Sequence, residues 1–152
     1  MIFIYLHIIT MFAAVAVSIG SGLLLHRVAQ SGDVRAIQTA FRLAKPFGQS
    51  TPILFIIGLV FGLFAAGASS FNFFAPWLIL SYVLFAAAMV VGGVMTGPWQ
   101  LRVGKAAALN KGDAPSADLQ AAIGDQRGKL ALWINGALVV AIVFVMVAKP
   151  LG

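Results

Sequence analysis

The stretch PFGQSTPILFIIGLVFGLFAAGASSFNFFAPWLILSYVLFAAAMVVGGVMTGPWQL, residues 46–101, contains no Lys, Arg, Asp or Glu in 56 residues. Residues 1–26 and 130–148 are equally free of these charged side chains. A soluble domain cannot keep such stretches from aggregating, whereas a bilayer accommodates them as helices that satisfy their own backbone hydrogen bonds. The sequence therefore predicts an integral membrane protein.

The composition leaves little room for anything besides membrane helices. Of 152 residues, 61% are hydrophobic and 9% are charged, whereas a soluble domain has about 25% charged residues. We predict one all-α membrane domain, residues 1–152, that forms a bundle of four transmembrane helices. The predicted spans are about 2–25, 52–68, 76–96 and 130–148, and the longer connections are about 26–45 and 97–129.

The distribution of Lys and Arg predicts the orientation of the bundle. Nine of the ten basic residues lie in the first and third connections, and only Lys149 lies in a terminal segment. By the positive-inside rule these two connections are cytoplasmic, and both termini and the short second connection face outward. We interpret the net charge of +6 as topology signals and contacts to anionic lipid, so no nucleic-acid partner is expected. The short chain without targeting features fits a bacterial inner (plasma) membrane.

Helix signals continue into the connections and define the span ends. Asp33 fits an N-cap, and the following apolar residues at helical spacing predict a short amphipathic helix at the headgroup level, with a polar turn as the alternative. Ser116 fits the N-cap of a second cytoplasmic extension. Pro52 either begins the second span or kinks a helix that starts near Phe47, and Gly97-Pro98 breaks or kinks the third.

Aromatic anchors at the membrane interface are expected near predicted span ends: Trp77, Trp99 and Trp133.

Small residues recur at four-residue spacing and predict close helix packing. In lipid, where burial of apolar surface does not drive helices together, such stripes let backbones approach. The contacts could lie within one protomer or between protomers. Asn135 should face the bundle, because an unpaired amide in lipid is costly, and bond to Ser18, Ser21 or Thr96. The residues predicted to pack are Ser18, Gly22, Gly58, Gly62, Ala66, Gly92 and Asn135.

His7 is the candidate ligand for a cofactor, because ionisable residues within a span are rare and often functional. A neutral imidazole can bind haem iron or copper. His26 lies 19 residues further along the same helix, roughly 28 Å away, so one metal cannot bind both. Met146 is the methionine expected at a similar depth on another helix. The alternative for His7 is an interfacial histidine that bonds to a carbonyl or a headgroup.

The residue types and motifs that the chain lacks exclude several classes of function. The chain has no Cys, which excludes disulfides and thiol chemistry, and its spans contain no carboxylate for a proton or cation relay. No catalytic or phosphate-binding motif is present. We therefore expect a non-catalytic protein without a cofactor that acts by helix packing, as an accessory subunit of another protein or as a homo-oligomer. The alternative is a haem- or copper-binding electron-transfer or metal-handling protein that uses His7.

The chain also resembles small bacterial membrane proteins of the DUF2269 type, which are predicted four-helix proteins. The resemblance is carried by residues 4–9 (IYLHII), by Gly20 and Gly22, by residues 27–33 and by residues 99–102. It supports the four-helix topology and implies no activity. A more distant similarity, through the Leu6-His7 start of the first span, is to copper-resistance membrane proteins, whose additional metal ligands are not evident in this chain.

Overall fold

The computed structural model describes residues 1–150, and this part of the chain contains helices and no β-strand. Four helical stretches are long and apolar enough to cross a membrane, which confirms the predicted fold class. The elements are α1 (Ile2–Gln30), α2 (Val34–Ala68), α3 (Pro76–Val91), a π-helical turn (Gly92–Thr96), α4 (Gly97–Leu109), α5 (Ala117–Gly124) and α6 (Gln126–Ala148).

The second membrane helix is longer than the predicted span 52–68. Helix α2 begins at Val34 and runs through both Pro46 and Pro52 to Ala68. Prolines are tolerated inside membrane helices where neighbouring groups satisfy the backbone that they leave unpaired. Pro52 leaves the Gly48 carbonyl without its usual helical donor, and the hydroxyls of Ser50 and Thr51 donate to the adjacent carbonyl oxygen, that of Phe47, at 3.2 and 2.7 Å.

The third membrane segment continues through Pro98 because a π-helical turn precedes it. The N–H of Gly97 bonds to the carbonyl oxygen of Gly92, five residues earlier. Pro98 has no N–H and cannot extend the regular ladder. The wide turn accommodates this interruption, and α4 then continues to Leu109. The predicted break at Gly97-Pro98 is therefore a change of helix type inside one long helical segment.

The four long segments form two antiparallel pairs, α1 with α2 and α3 with α6. We call the end that holds the two long connections the basic end, and the opposite end, with Met1, residues 69–75 and Lys149, the terminal end. At the basic end α2 meets α4 and α1 meets α6. The main core lies there and comprises Leu25, Ala29, Val34, Ile37, Phe41, Trp99, Val103, Ala107 and Leu119. A smaller cluster of Trp77, Leu78 and Val145 joins α3 to α6 at the terminal end.

The amphipathic segment after Asp33 is the first part of α2, continuous with the membrane helix, and is not a separate short helix. Its apolar face, with Ile37 and Val34, is buried in the basic-end core. The Asp33 side chain accepts from the N–H of Ala36, as expected of an N-cap. Packing against α4 buries the apolar face that would otherwise require the lipid headgroup region.

The third connection is built around a buried asparagine. Asn110, 8% exposed, donates from Nδ2 to the carbonyl oxygens of Gly112 and Ala114 and accepts from the N–H of Ser116 through Oδ1. Ser116 in turn caps α5. The turn thereby places α5 against α4, where Leu119 is fully buried in the core.

Candidate functional site

A cavity of about 680 Å³ lies between the two helix pairs and is lined by all four long helical segments. It extends from His7, near the terminal end, to Asn135 and Gln100, toward the basic end. Apart from an aromatic contact between α2 and α3, the pairs meet mainly at the basic end, so they leave space between them toward the terminal end. Most of the lining is apolar, and volumes of roughly 300–1,000 Å³ are typical of small-molecule sites.

The cavity is open on the side between α1 and α6. Ile8 and Phe12 on α1, and Val143 and Val147 on α6, line it and are also exposed on the protein surface, at 57% or more. On the opposite side the rings of Phe55 and Phe85 meet with their centroids 5.9 Å apart and bridge α2 to α3. A molecule dissolved in the bilayer could therefore enter from the side, between α1 and α6.

His7 lies at the terminal end of this cavity and is held by α2. Its Nδ1–H donates to the carbonyl oxygen of Gly58, at 2.7 Å, as the carbonyl alternative for this residue predicts. The imidazole lies directly on Gly62, where a methyl group would approach two ring atoms to 2.8 Å. With the proton on Nδ1, the neutral ring has its lone pair on Nε2. Metal-binding histidines commonly have this arrangement.

Met146 lines the same cavity as His7, from α6, and Met11 lines it from α1. Met11 lies one turn after His7 and packs on Gly58. The cavity thus brings one imidazole and thioether side chains to a common space. Among residues 1–150 there is no cluster of three or more His, Asp or Glu that could hold a metal ion.

The predicted packing glycines have different roles in the fold. Gly58 and Gly62 receive side chains of α1, and a methyl group at Gly22 would lie 3.3 Å from Leu132 of α6. These contacts lie within one protomer. Gly92 has nothing within 4 Å of an added methyl group and lines the cavity, as Ser18 also does. Ala66 is buried at the terminal end of α2.

A second, much smaller cavity of about 20 Å³ lies at the basic end of the large one. Four residues that line it carry buried polar atoms without a hydrogen-bond partner, namely His26, Thr96, Trp99 and Asn135; we call this the polar niche. The expected bond from Asn135 to Ser18, Ser21 or Thr96 does not form. Asn135 does face the bundle, and Ser18 and Thr96 line the same niche.

The three tryptophans occupy different environments. Trp133 is 70% exposed on the outer surface of α6, where an interface anchor would lie. Trp99, expected to be an anchor, is instead 3% exposed and packs within the basic-end core. The reason is Gly128, whose lack of a side chain leaves room for the indole directly against α6. Trp77 is also buried, and the Lys149 ammonium lies 5.3 Å from its ring centroid.

Sequence reasoning did not identify Gln100 or the π-helical turn as parts of a site. Gln100 lines both cavities, and Gly92, Gly93 and Thr96 of the π turn line the large one. The signal in the sequence was the Gly-Gly pair followed four residues later by Gly97-Pro98. π-Helical turns are rare, often occur at functional sites, and cannot be distinguished from a simple kink by such a pattern.

Comparison with protein families agrees with this architecture. No curated protein and no solved structure matches the chain. A family model described as "Predicted integral membrane protein (DUF2269)" matches residues 1–150, almost the whole chain. The protein, whose four apolar helices make it an integral membrane protein, therefore belongs to the DUF2269 family.

Proposed function

We propose that this protein is a non-catalytic membrane protein that binds a membrane-soluble molecule in the large cavity between its two helix pairs. The observation that carries the proposal is the cavity itself, about 680 Å³ in volume and lined by four helices. Its apolar lining and lateral mouth suit a molecule that partitions into the bilayer. All four acidic residues lie in the connections at the basic end, so no carboxylate is available near the cavity for acid–base chemistry.

A role in helix packing alone explains the structure less well than the binding of a molecule in the cavity does. The glycines that motivated an accessory or oligomeric role, Gly22, Gly58 and Gly62, contact helices of their own protomer. They build the bundle, and another surface would have to bind a protein partner or a second copy. Association as an accessory subunit or homo-oligomer remains a prediction, which native mass spectrometry from a mild detergent tests directly.

The cavity proposal can be tested by filling the space. Ala88→Phe places a ring into the cavity, since Ala88 lines it. Val90→Phe is the matched control, because Val90 is 61% exposed and lies outside the cavity lining. Small molecules that copurify from native membranes would be extracted and identified by mass spectrometry. We expect a stoichiometric species in the wild type and in Val90→Phe, and its loss in Ala88→Phe. A wild-type protein that carries no such species, and retains none when lipid extract is added, would contradict the proposal.

A second candidate function is haem or copper binding through His7. It is favoured by the bond from His7 Nδ1–H to Gly58, which holds the ring and leaves Nε2 available to a metal. Met146 and Met11 line the same cavity, and thioether sulfur suits copper(I) or a haem axial position. The test is a visible spectrum with metal analysis. A Soret band or bound copper that is lost in His7→Ala and kept in His26→Ala supports this function, whereas colourless, metal-free protein from cofactor-replete cells refutes it.

A further inference from the structure

The polar niche contains most of the unsatisfied polar atoms in the interior. Among residues 1–150, five buried side-chain nitrogen or oxygen atoms have no hydrogen-bond partner, and four of them belong to niche residues. The fifth is the Tyr82 hydroxyl. A buried polar atom without a partner costs roughly 1–3 kcal/mol, so native proteins rarely leave several together. Four in one cavity indicate a partner that is not part of the chain.

The niche adjoins the large apolar cavity and shares part of its lining. Ser18, Thr96 and Asn135 line both spaces, as do Ile19 and Gln100. The π-helical turn contributes Thr96, whose hydroxyl bonds to no backbone carbonyl. A molecule whose apolar body fills the large cavity would therefore bring one end group into the niche.

The niche is rich in hydrogen-bond donors. The Trp99 indole can only donate, and the residue is 97% buried, being 3% exposed. Gln30 Nε2 donates to His26 Nε2 at 3.0 Å, so a neutral His26 ring carries its proton on the unpartnered Nδ1. The Thr96 hydroxyl is a third available donor. An end group that satisfies these three donors must present an acceptor oxygen, whereas the fourth unpartnered atom, Asn135 Oδ1, is itself an acceptor that such an oxygen does not satisfy.

The charge of the end group is limited by the lining. Lys129 and Arg27 lie close enough to the niche residue His26 to act on it electrostatically, but neither lines the niche. A carboxylate there would lose its hydration without a direct ion pair, which is costly. A neutral carbonyl accepts hydrogen bonds without this cost. We infer that the protein binds a neutral amphiphile, such as a membrane quinone, whose carbonyl oxygen accepts hydrogen bonds from Thr96 and Trp99 in the polar niche. This inference rests on the proposed function of the large cavity.

Substitutions that remove hydrogen-bond donors distinguish binding in the polar niche from binding in the large cavity. Thr96→Val and Trp99→Phe, combined in one protein, remove two donors; Thr96→Val keeps the side-chain volume, and Trp99→Phe keeps a smaller aromatic ring at its position. Thr10→Val is the control, because the Thr10 hydroxyl donates to Leu6 of its own helix and Thr10 lines neither cavity. Binding would be measured in lipid nanodiscs with a decyl-substituted benzoquinone, decylbenzene and decanoate as probes.

We expect the double variant to bind the benzoquinone about 5- to 100-fold more weakly than the wild type, which corresponds to two lost hydrogen bonds. Its decylbenzene affinity should be unchanged, which also shows that its cavity is intact, and Thr10→Val should match the wild type for both probes. Equal benzoquinone affinity of wild type and double variant would overturn the inference and leave a niche filled by water. Tighter wild-type binding of decanoate than of benzoquinone would overturn the neutral carbonyl. A wild type that binds none of the probes, with no copurifying molecule, would instead refute the proposed function.

Discussion

Gly128 is the position at which a single methyl group should most clearly test the packing of the basic end. A methyl group there would lie 2.5 Å from two atoms of the Trp99 ring and 2.7 Å from a third. Carbon atoms pack at about 3.5–4.0 Å, so the indole would have to retreat by about 1 Å. The Phe41 ring, whose centroid is 5.9 Å from that of Trp99, and the adjacent His26 ring restrict this movement.

The expected cost follows from this overlap. Overpacking of a closely packed core costs about 1–3 kcal/mol, and Gly→Ala in a helix returns up to about 1 kcal/mol through helix propensity. Gly136→Ala is the matched control, because Gly136 lies on the same helix and an added methyl group meets nothing within 4 Å. We expect Gly128→Ala to be less stable than Gly136→Ala by about 1–3 kcal/mol, since the propensity terms largely cancel.

The assay is reversible unfolding in mild detergent by titration with sodium dodecyl sulfate, followed by circular dichroism and tryptophan emission. The difference in the free energy of unfolding between the two variants is the relevant quantity. If Gly128→Ala were as stable as Gly136→Ala, the Trp99 ring could not be packed directly against Gly128 of α6, and the missing side chain of Gly128 would not be the reason for its burial.

Three further predictions test other parts of the fold. Gly62→Ala should displace the His7 ring, which a methyl group would approach to 2.8 Å, and abolish its bond to Gly58; a histidine side-chain NMR spectrum unchanged from wild type would contradict this. Asn110→Ala removes three hydrogen bonds that order the third connection and should lower the free energy of unfolding by about 1–3 kcal/mol in the same detergent titration. The Cys-free chain allows an orientation test: a cysteine at Ser70 should react in intact cells with a membrane-impermeant maleimide and one at Ser116 should not, and the reverse pattern would refute the predicted topology.

Part of the candidate site could be predicted from the sequence. His7, an ionisable residue within an apolar span, was a candidate ligand on the sequence alone, and the Gly58–Gly62 spacing indicated a close helix approach. Their direct contact could not be predicted, because it depends on the register between α1 and α2. The polar niche could not be predicted from the sequence for the same reason, since it combines side chains from α1, the π-helical turn, α4 and α6.

The sequence by itself determined that the protein lies in a membrane, how many spans it has and that its fold is helical. These follow from local properties, namely long charge-free stretches and the cost of unpaired backbone groups in lipid, which require no knowledge of tertiary contacts. Tertiary structure decided which face of each helix is inside. Trp99 and the apolar face of the segment from Val34 to Phe41 read as interfacial along the sequence, yet both are buried, because Gly128 and α4 provide complementary surfaces. In an almost uniformly apolar chain, hydrophobic periodicity cannot distinguish a face that contacts lipid from one that contacts protein, so shape complementarity between helices makes that choice.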